Sequence, residues 1–191
     1  MDRVAMIDEE MFITGGDNGS LSLWSMHKKK PVFTLQLAHG SDPAPTAEEQ
    51  FANGPNPEPS VIAREQPRWI TALKTIPYSD VVLSGSWDGW VRAWRVSDDK
   101  KKLEAVSVLG GEGVVVKGVV NDISMFERGE RAKDGVSVVV AVGKEHRFAR
   151  WKKVEGRNGI VVLEVARREK GNGAVDEDEE MADLPIREME F

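Results

Sequence analysis

Three segments of the chain superimpose without a gap: Thr14-Gly15-Gly16-Asp17-Asn18-Gly19-Ser20-Leu21-Ser22-Leu23-Trp24, Ser84-Gly85-Ser86-Trp87-Asp88-Gly89-Trp90-Val91-Arg92-Ala93-Trp94, and Ala141-Val142-Gly143-Lys144-Glu145-His146-Arg147-Phe148-Ala149-Arg150-Trp151. Each follows a short β-rich run, at Met11 to Ile13, Val81 to Leu83 and Val136 to Val140, and each ends in tryptophan. A chain that repeats itself builds one supersecondary unit several times and buries each copy against the next. The unit is strand, tight turn, strand. Asn18-Gly19 and Asp88-Gly89 accept the positive φ that two-residue hairpin turns need to match strand twist. The third copy has Glu145-His146 there, so its turn is expected to be longer or less regular.

Further alternating segments flank each hairpin, upstream at Val4 to Ile7, Ile70 to Ile76 and Val119 to Phe126, downstream at Pro31 to Leu37, Leu103 to Leu109 and Ile160 to Val165. Each unit therefore has four strands. Four-stranded units whose third strand ends in tryptophan resemble WD-repeat blades, with a usual period of about 40 to 45 residues. The resemblance implies an all-β chain, a WD-repeat β-propeller with about three four-stranded blades of a larger ring of about seven. The spacings from Trp24 to Trp94 and from Trp94 to Trp151 exceed that period, so insertions are expected. Residues 41–67 hold six of the nine prolines and few large apolar side chains, too little to order themselves. The division is a first blade at 1–40, a proline-rich disordered insertion at 41–67, a second blade at 68–110, a third at 111–168 and an acidic tail at 169–191.

The net charge of -6 belongs to that tail, where nine acids stand against Lys170 and Arg187, while the preceding residues are nearly balanced. A segment so acidic and poor in aromatics is expected to stay solvated and disordered. With no cysteine, disulfides, thiolate nucleophiles and Cys-containing zinc sites are excluded. His27, His39 and His146 are scattered without i, i+4 pairing, so no metal site is expected. Gly85-Ser86-Trp87-Asp88-Gly89 lacks the serine at the third place that a nucleophile elbow needs, and Gly110-Gly111-Glu112-Gly113 lacks the lysine of a phosphate loop. No enzymatic activity, cofactor or small-molecule substrate is expected. The longest aliphatic stretch, near Val136 to Val142, is far short of the ~18 apolar residues of a membrane span, and Met1-Asp2-Arg3 opens no signal-type segment, so the chain reads as intracellular.

Within the WD family a buried network joins a histidine before the first strand, a serine or threonine on the second, an aspartate in the hairpin turn and the closing tryptophan. The resemblance assigns that full set to the middle blade as His39, Ser84, Asp88 and Trp94. Physically, a buried carboxylate needs several hydrogen bonds, and His, Ser and indole groups can supply them. The first blade has Thr14, Asn18 and Trp24; the third, with Ala141, Glu145 and Trp151, has no complete set. Trp87-Asp88 is not the family's signature dipeptide, which starts at the closing tryptophan and here reads Trp24-Ser25, Trp94-Arg95 and Trp151-Lys152.

Candidate binding surfaces remain. Lys28-Lys29-Lys30 follows the first closing tryptophan and Lys100-Lys101-Lys102 leads into an outer strand. Each run suits either phosphate contact or lysine protection of a strand edge. The third hairpin gathers Lys144, Arg147, Arg150, Lys152 and Lys153, and Arg150 replaces the apolar residue before tryptophan in the other copies, which favours RNA or an acidic protein. By analogy with other WD proteins, Trp87 falls on the narrow face used for partners, where a large aromatic suits a protein hot spot or a stacked base; Lys144 is its counterpart in the third blade.

Longer strings narrow the resemblance: Gly16 to Trp24 followed by Lys28-Lys29-Lys30-Pro31 and Leu37-Ala38-His39-Gly40, then Trp69-Ile70-Thr71-Ala72-Leu73, and Gly143-Lys144-Glu145-His146-Arg147-Phe148-Ala149-Arg150-Trp151-Lys152. Together they resemble the C-terminal blades of the WD-repeat family of the U3 small nucleolar ribonucleoprotein. That implies a scaffold in the nucleus and nucleolus that binds U3 small nucleolar RNA, box C/D core proteins and small-subunit processome proteins during pre-ribosomal RNA processing. The alternative is a WD-repeat adaptor for protein partners without RNA binding. A family member is expected to have a basic N-terminal region and more blades, so the chain reads as a C-terminal fragment or truncated gene model whose end blades expose apolar faces.

Overall fold

The computed structural model describes residues 2–44, 65–109, 116–130, 133–146, 149–166 and 186–189. Strands β1 (Arg3–Met6), β2 (Met11–Gly15), β3 (Leu21–Ser25) and β4 (Phe33–Leu35) form one antiparallel sheet in sequence order. A ribbon of β5 (Ser41–Asp42) and β6 (Gln66–Pro67) follows. Then β7 (Ala72–Thr75), β8 (Val81–Gly85), β9 (Val91–Val96) and β10 (Leu103–Val108) form the second sheet. The third consists of β11 (Val119–Glu127) and β12 (Val136–Gly143), and past a ribbon of β13 (Glu145–His146) and β14 (Ala149–Lys153) it continues with β15 (Gly159–Val165) and β16 (Ile186–Met189). The described residues form no α-helix, and no helix among them is long and apolar enough to cross a membrane.

The turns follow from their residues. Gly19 and Gly89 adopt φ of 70° and 86°, and each closes its hairpin in the register that sets Gly15 opposite Leu21 and Gly85 opposite Val91. Strand alternation then sorts the side chains into two faces. In the first sheet Ile13, Leu21 and Leu23 are wholly buried against Leu73, Val82 and Trp94 of the second. The second sheet turns Ala72, Leu83 and Val91 toward Val120, Val138 and Val140 of the third. Neighbouring sheets interlock at glycines: a Cβ on Gly15 would strike Ile70, and one on Gly85 would strike Val120. Arg3 ties the first strands together, donating from Nε to the Thr71 carbonyl at 2.6 Å and from Nη2 to the Asn121 carbonyl at 3.2 Å.

The faces are not equally covered. Leu73 and Thr75, on β7, are 6% and 5% exposed beneath the first blade, whereas Val4 and Met6, their counterparts on β1, are 63% and 46% exposed. Val4 pairs with Thr14 and Met6 with Phe12, which pairs with Trp24, so these side chains share one face, where the Phe12 and Trp24 rings stack with centroids 6.0 Å apart.

The third blade departs from the repeat. The alignment makes the strand ending at Trp151 the neighbour of Val136 to Val140; instead β12 pairs with β15, Val138 opposite Leu163 and Val140 opposite Val161. Glu145-His146 offers no glycine for a two-residue turn, and β13 instead doubles back on β14, with His146 opposite Ala149. Ala149–Lys153 carries three cations, while Gly159–Val165 brings Ile160, Val161, Val162, Leu163 and Val165 to a valine-rich neighbour. Apolar burial favours the second arrangement. Within the acidic tail, Ile186–Met189 adds an edge strand to β15. Most of the proline-rich insertion, 45–64, lies outside the described residues, and its two ends are held together by β5 and β6.

Candidate functional site

The buried polar centre lies between the first two blades. The chain leaves β4, and the Leu37–Gly40 turn carries His39, 0% exposed, over the second sheet. Trp94 Nε1 donates to Ser84 Oγ at 2.8 Å, and Ser84 Oγ lies 2.8 Å from His39 Nε2. An indole N–H can only donate, so Ser84 Oγ accepts from Trp94; an ionised carboxylate can only accept, so in the neutral imidazole the proton sits on Nδ1, facing Asp88, and Nε2 accepts from the Ser84 hydroxyl. His39 Nδ1 donates to Asp88 Oδ2 at 2.9 Å.

His39, Ser84, Asp88 and Trp94 therefore form a relay, and only His39 of the other three touches the carboxylate. The expectation that serine and indole also help satisfy the carboxylate is corrected. Its remaining partners are Arg92, donating from Nη2 to Oδ2 at 3.1 Å, and the backbone N–H of Trp90, which reaches Oδ1 at 3.2 Å. Burial pushes the Asp88 carboxyl up, but the His39 and Arg92 hydrogen bonds and charges outweigh it and leave the group below its ordinary value. Arg92 escapes the repeat argument because no other copy has a cation there. In the first blade Trp24 Nε1 donates to Thr14 Oγ1 at 2.9 Å, and Asn18 is spent on its own turn, accepting from Ser20.

Trp87 is engaged within the molecule. Its Nε1 donates to Asp42 Oδ2 at 2.9 Å, Arg68 Nε donates to Asp42 Oδ1 at 2.7 Å, and the Trp69 ring lies tilted against it with centroids 6.0 Å apart. The half-buried indole thus clamps the foot of the insertion. Asp42, Arg68 and Trp69 flank the proline-rich segment, and in sequence only their position at its ends marks them.

Lys28, Lys29 and Lys30 are exposed on the turn between β3 and β4, and Lys144 is exposed beside the third hairpin, its backbone N–H bonded to Asn158 Oδ1 at 3.0 Å. Arg147 lies outside the described residues, and of Arg150 and Lys152 only the backbone in β14 is described. The structure does not bring Lys28–Lys30, Trp87 and Lys144 together, since they sit on three different blades. A cleft of about 310 Å³ between Ile7, Tyr78 and Val96 is walled by Asp8, which is tied to Lys100. Among the described residues no group of three His, Asp or Glu side chains is placed to hold a metal.

No family model matches the chain. It is 41% identical over 169 residues to ribosomal RNA-processing protein 9 of Saccharomyces cerevisiae, covering 84% of this chain and 28% of that protein. It is 42% identical over 156 residues to an uncharacterized WD repeat-containing protein of Schizosaccharomyces pombe, covering 82% and 29%. The human U3 small nucleolar RNA-interacting protein 2 is 27% identical over 168 residues, covering 87% and 30%. Solved structures of the RRP9 WD40 repeats and of U3-55K superpose with TM-scores of 0.62 and 0.63 at 26% identity, covering 84% and 85% of this chain and 41% of each of those. The chain spans under a third of the length of the curated relatives it matches. By three WD-type sheets, a His-Ser-Asp-Trp relay between blades and these likenesses in sequence and fold, the chain belongs with the WD-repeat homologues of ribosomal RNA-processing protein 9 and the U3 small nucleolar RNA-interacting proteins.

Proposed function

We propose that the chain serves as a non-catalytic scaffold of the U3 small nucleolar ribonucleoprotein, binding U3 small nucleolar RNA, box C/D core proteins and small-subunit processome proteins during pre-ribosomal RNA processing in the nucleolus. The observation that carries this is the 41% identity, across 84% of the chain, to a protein named for ribosomal RNA processing. The polar groups of the structure agree with a scaffold. The one buried histidine–carboxylate pair among the described residues is closed between two blades, with the Asp88 side chain only 2% exposed, as suits a structural fastening. The surfaces that remain for partners are the lysine turn at Lys28–Lys30, the Trp87 clamp, and the third hairpin with Lys144, Arg147, Arg150 and Lys152.

Depleting the protein from its cells should raise uncleaved pre-ribosomal RNA and lower mature small-subunit RNA. Unchanged pre-ribosomal RNA together with the loss of a protein partner would favour the RNA-independent adaptor.

A further inference from the structure

The two lysine runs are far apart in sequence, yet both turns meet the same three residues. Asp8, Glu9 and Glu10 form the turn between β1 and β2. The β3–β4 turn docks on one side, where the Met26 backbone N–H donates to the Glu10 carbonyl at 2.8 Å and His27 Nε2 lies 3.5 Å from Glu10 Oε1. The β9–β10 turn docks on the other side, where Lys100 Nζ reaches Asp8 Oδ2 at 2.6 Å. Lys28–Lys30 and Lys100–Lys102 therefore lie on one rim, on equivalent turns of adjacent blades.

The carboxylates on this rim are locally engaged. Asp8 is held by Lys100 and by the backbone N–H groups of Glu10 and Met11, and the Lys100 hydrogen bond is the main cause of its lowered pKa. Glu9 accepts from the Tyr78 hydroxyl at 2.7 Å. Asp98 and Asp80 share Arg95. Asp99 accepts from Ser97 Oγ at 2.7 Å and lies 3.7 Å from Lys101 Nζ. Glu104 stands in register with Arg95 across the sheet. Lys28, Lys29, Lys30 and Lys102 are exposed and form no ion pair among the described residues. Four ammonium groups outside any such pair, strung over two blades, match a polymer of regularly spaced monoanions, because each phosphate engaged releases condensed counterions. An anchored lysine such as Lys100 has nothing comparable to gain.

We propose that this rim, through Lys28, Lys29, Lys30 and Lys102, grips the phosphodiester backbone of RNA. The proposal deepens the ribonucleoprotein reading by naming the binding surface, and it does not need the RNA to be U3. The test uses the full chain, immobilised at low density so that copies do not meet, and a labelled uridine homopolymer titrated at several salt concentrations. Replacing the four lysines by Gln should weaken binding at least tenfold and lower the salt slope by roughly 0.7 unit for each phosphate that is no longer neutralised. Lys100→Gln should change the slope by much less than any one of the four. Because the four side chains are exposed, an unchanged thermal melt of the variant excludes misfolding as the cause.

Wild-type affinity and slope in the fourfold variant would overturn the proposal, as would displacement of the RNA by polyglutamate at equal charge, which would make the rim a site for acidic proteins. Homopolymer binding abolished in the variant while U3 RNA fails to associate in extract would sink the U3 assignment and leave the rim standing. The converse pattern would sink the rim alone.

Discussion

His39 Nδ1 lies 2.9 Å from Asp88 Oδ2, and this bond fastens the loop leaving the first blade to the hairpin turn of the second. Removing the carboxylate strands the donor of the fully buried His39 and deprives Arg92 of its partner. Asp88→Ala should therefore cost about 2 to 4 kcal/mol, the range for breaking a buried charged hydrogen bond. Glu145→Ala, in the half-buried β13 ribbon, should be milder. Chemical denaturation of both variants measures the contrast, and equal losses would show that the relay contributes nothing special.

The same carboxylate makes stability depend on pH in a predictable direction. Its pKa in the folded chain is held below the ordinary 3.8. The stabilisation is therefore fully present above 3.8 and is lost as pH falls through the lower folded value. Asp88→Asn should flatten the stability curve in that acid window, as thermal melts across the range would record.

Gly85 marks where the second blade meets the third. A Cβ there would strike Val120, whereas one on Gly159 would meet nothing within 4 Å. Gly85→Ala should cost about 1 to 3 kcal/mol by overpacking, and combining it with Val120→Ala should recover part of the loss. Gly159→Ala should be nearly neutral. Equal effects of the two glycine substitutions would contradict the observed packing.

The repeat made the blades readable because Asn-Gly and Asp-Gly turns, alternating strands and closing tryptophans are local signals. His39, Ser84, Asp88 and Trp94 could be named for a related reason: each holds a fixed place in a repeated unit. What stayed hidden depends on interactions between segments distant in sequence. Asp42 meets Trp87 only once β5 and β6 pair, whereas Arg92 is the local exception, four residues from Asp88 in the same hairpin but without a cation at its place in the other copies. The third blade misled because a repeat alignment does not weigh the cations of Ala149–Lys153 against the aliphatics of Gly159–Val165. The lysine rim was invisible because nothing local announces that residues 28 and 102 flank one turn.

The uncovered face of the first blade has a consequence in solution. Val4 and Met6 sit beside the Phe12–Trp24 stack where the second blade has Leu73 and Thr75 beneath a neighbour. An apolar sheet face of this kind promotes association. The isolated chain should self-associate in sedimentation experiments, and Val4→Lys with Met6→Lys should shift it toward monomer without lowering its melting temperature. A wild-type chain that sediments as a compact monomer at high concentration would contradict this.

The proposed scaffold works with U3 small nucleolar RNA. The most direct measurement is recovery of the tagged full chain from nuclear extract of its own cells at moderate salt, with U3 RNA quantified against another box C/D small nucleolar RNA. Selective enrichment of U3 that declines steeply as the salt of the wash is raised is the expected result. Recovery of both RNAs at background level, with a protein partner retained, would contradict it and leave the adaptor in its place.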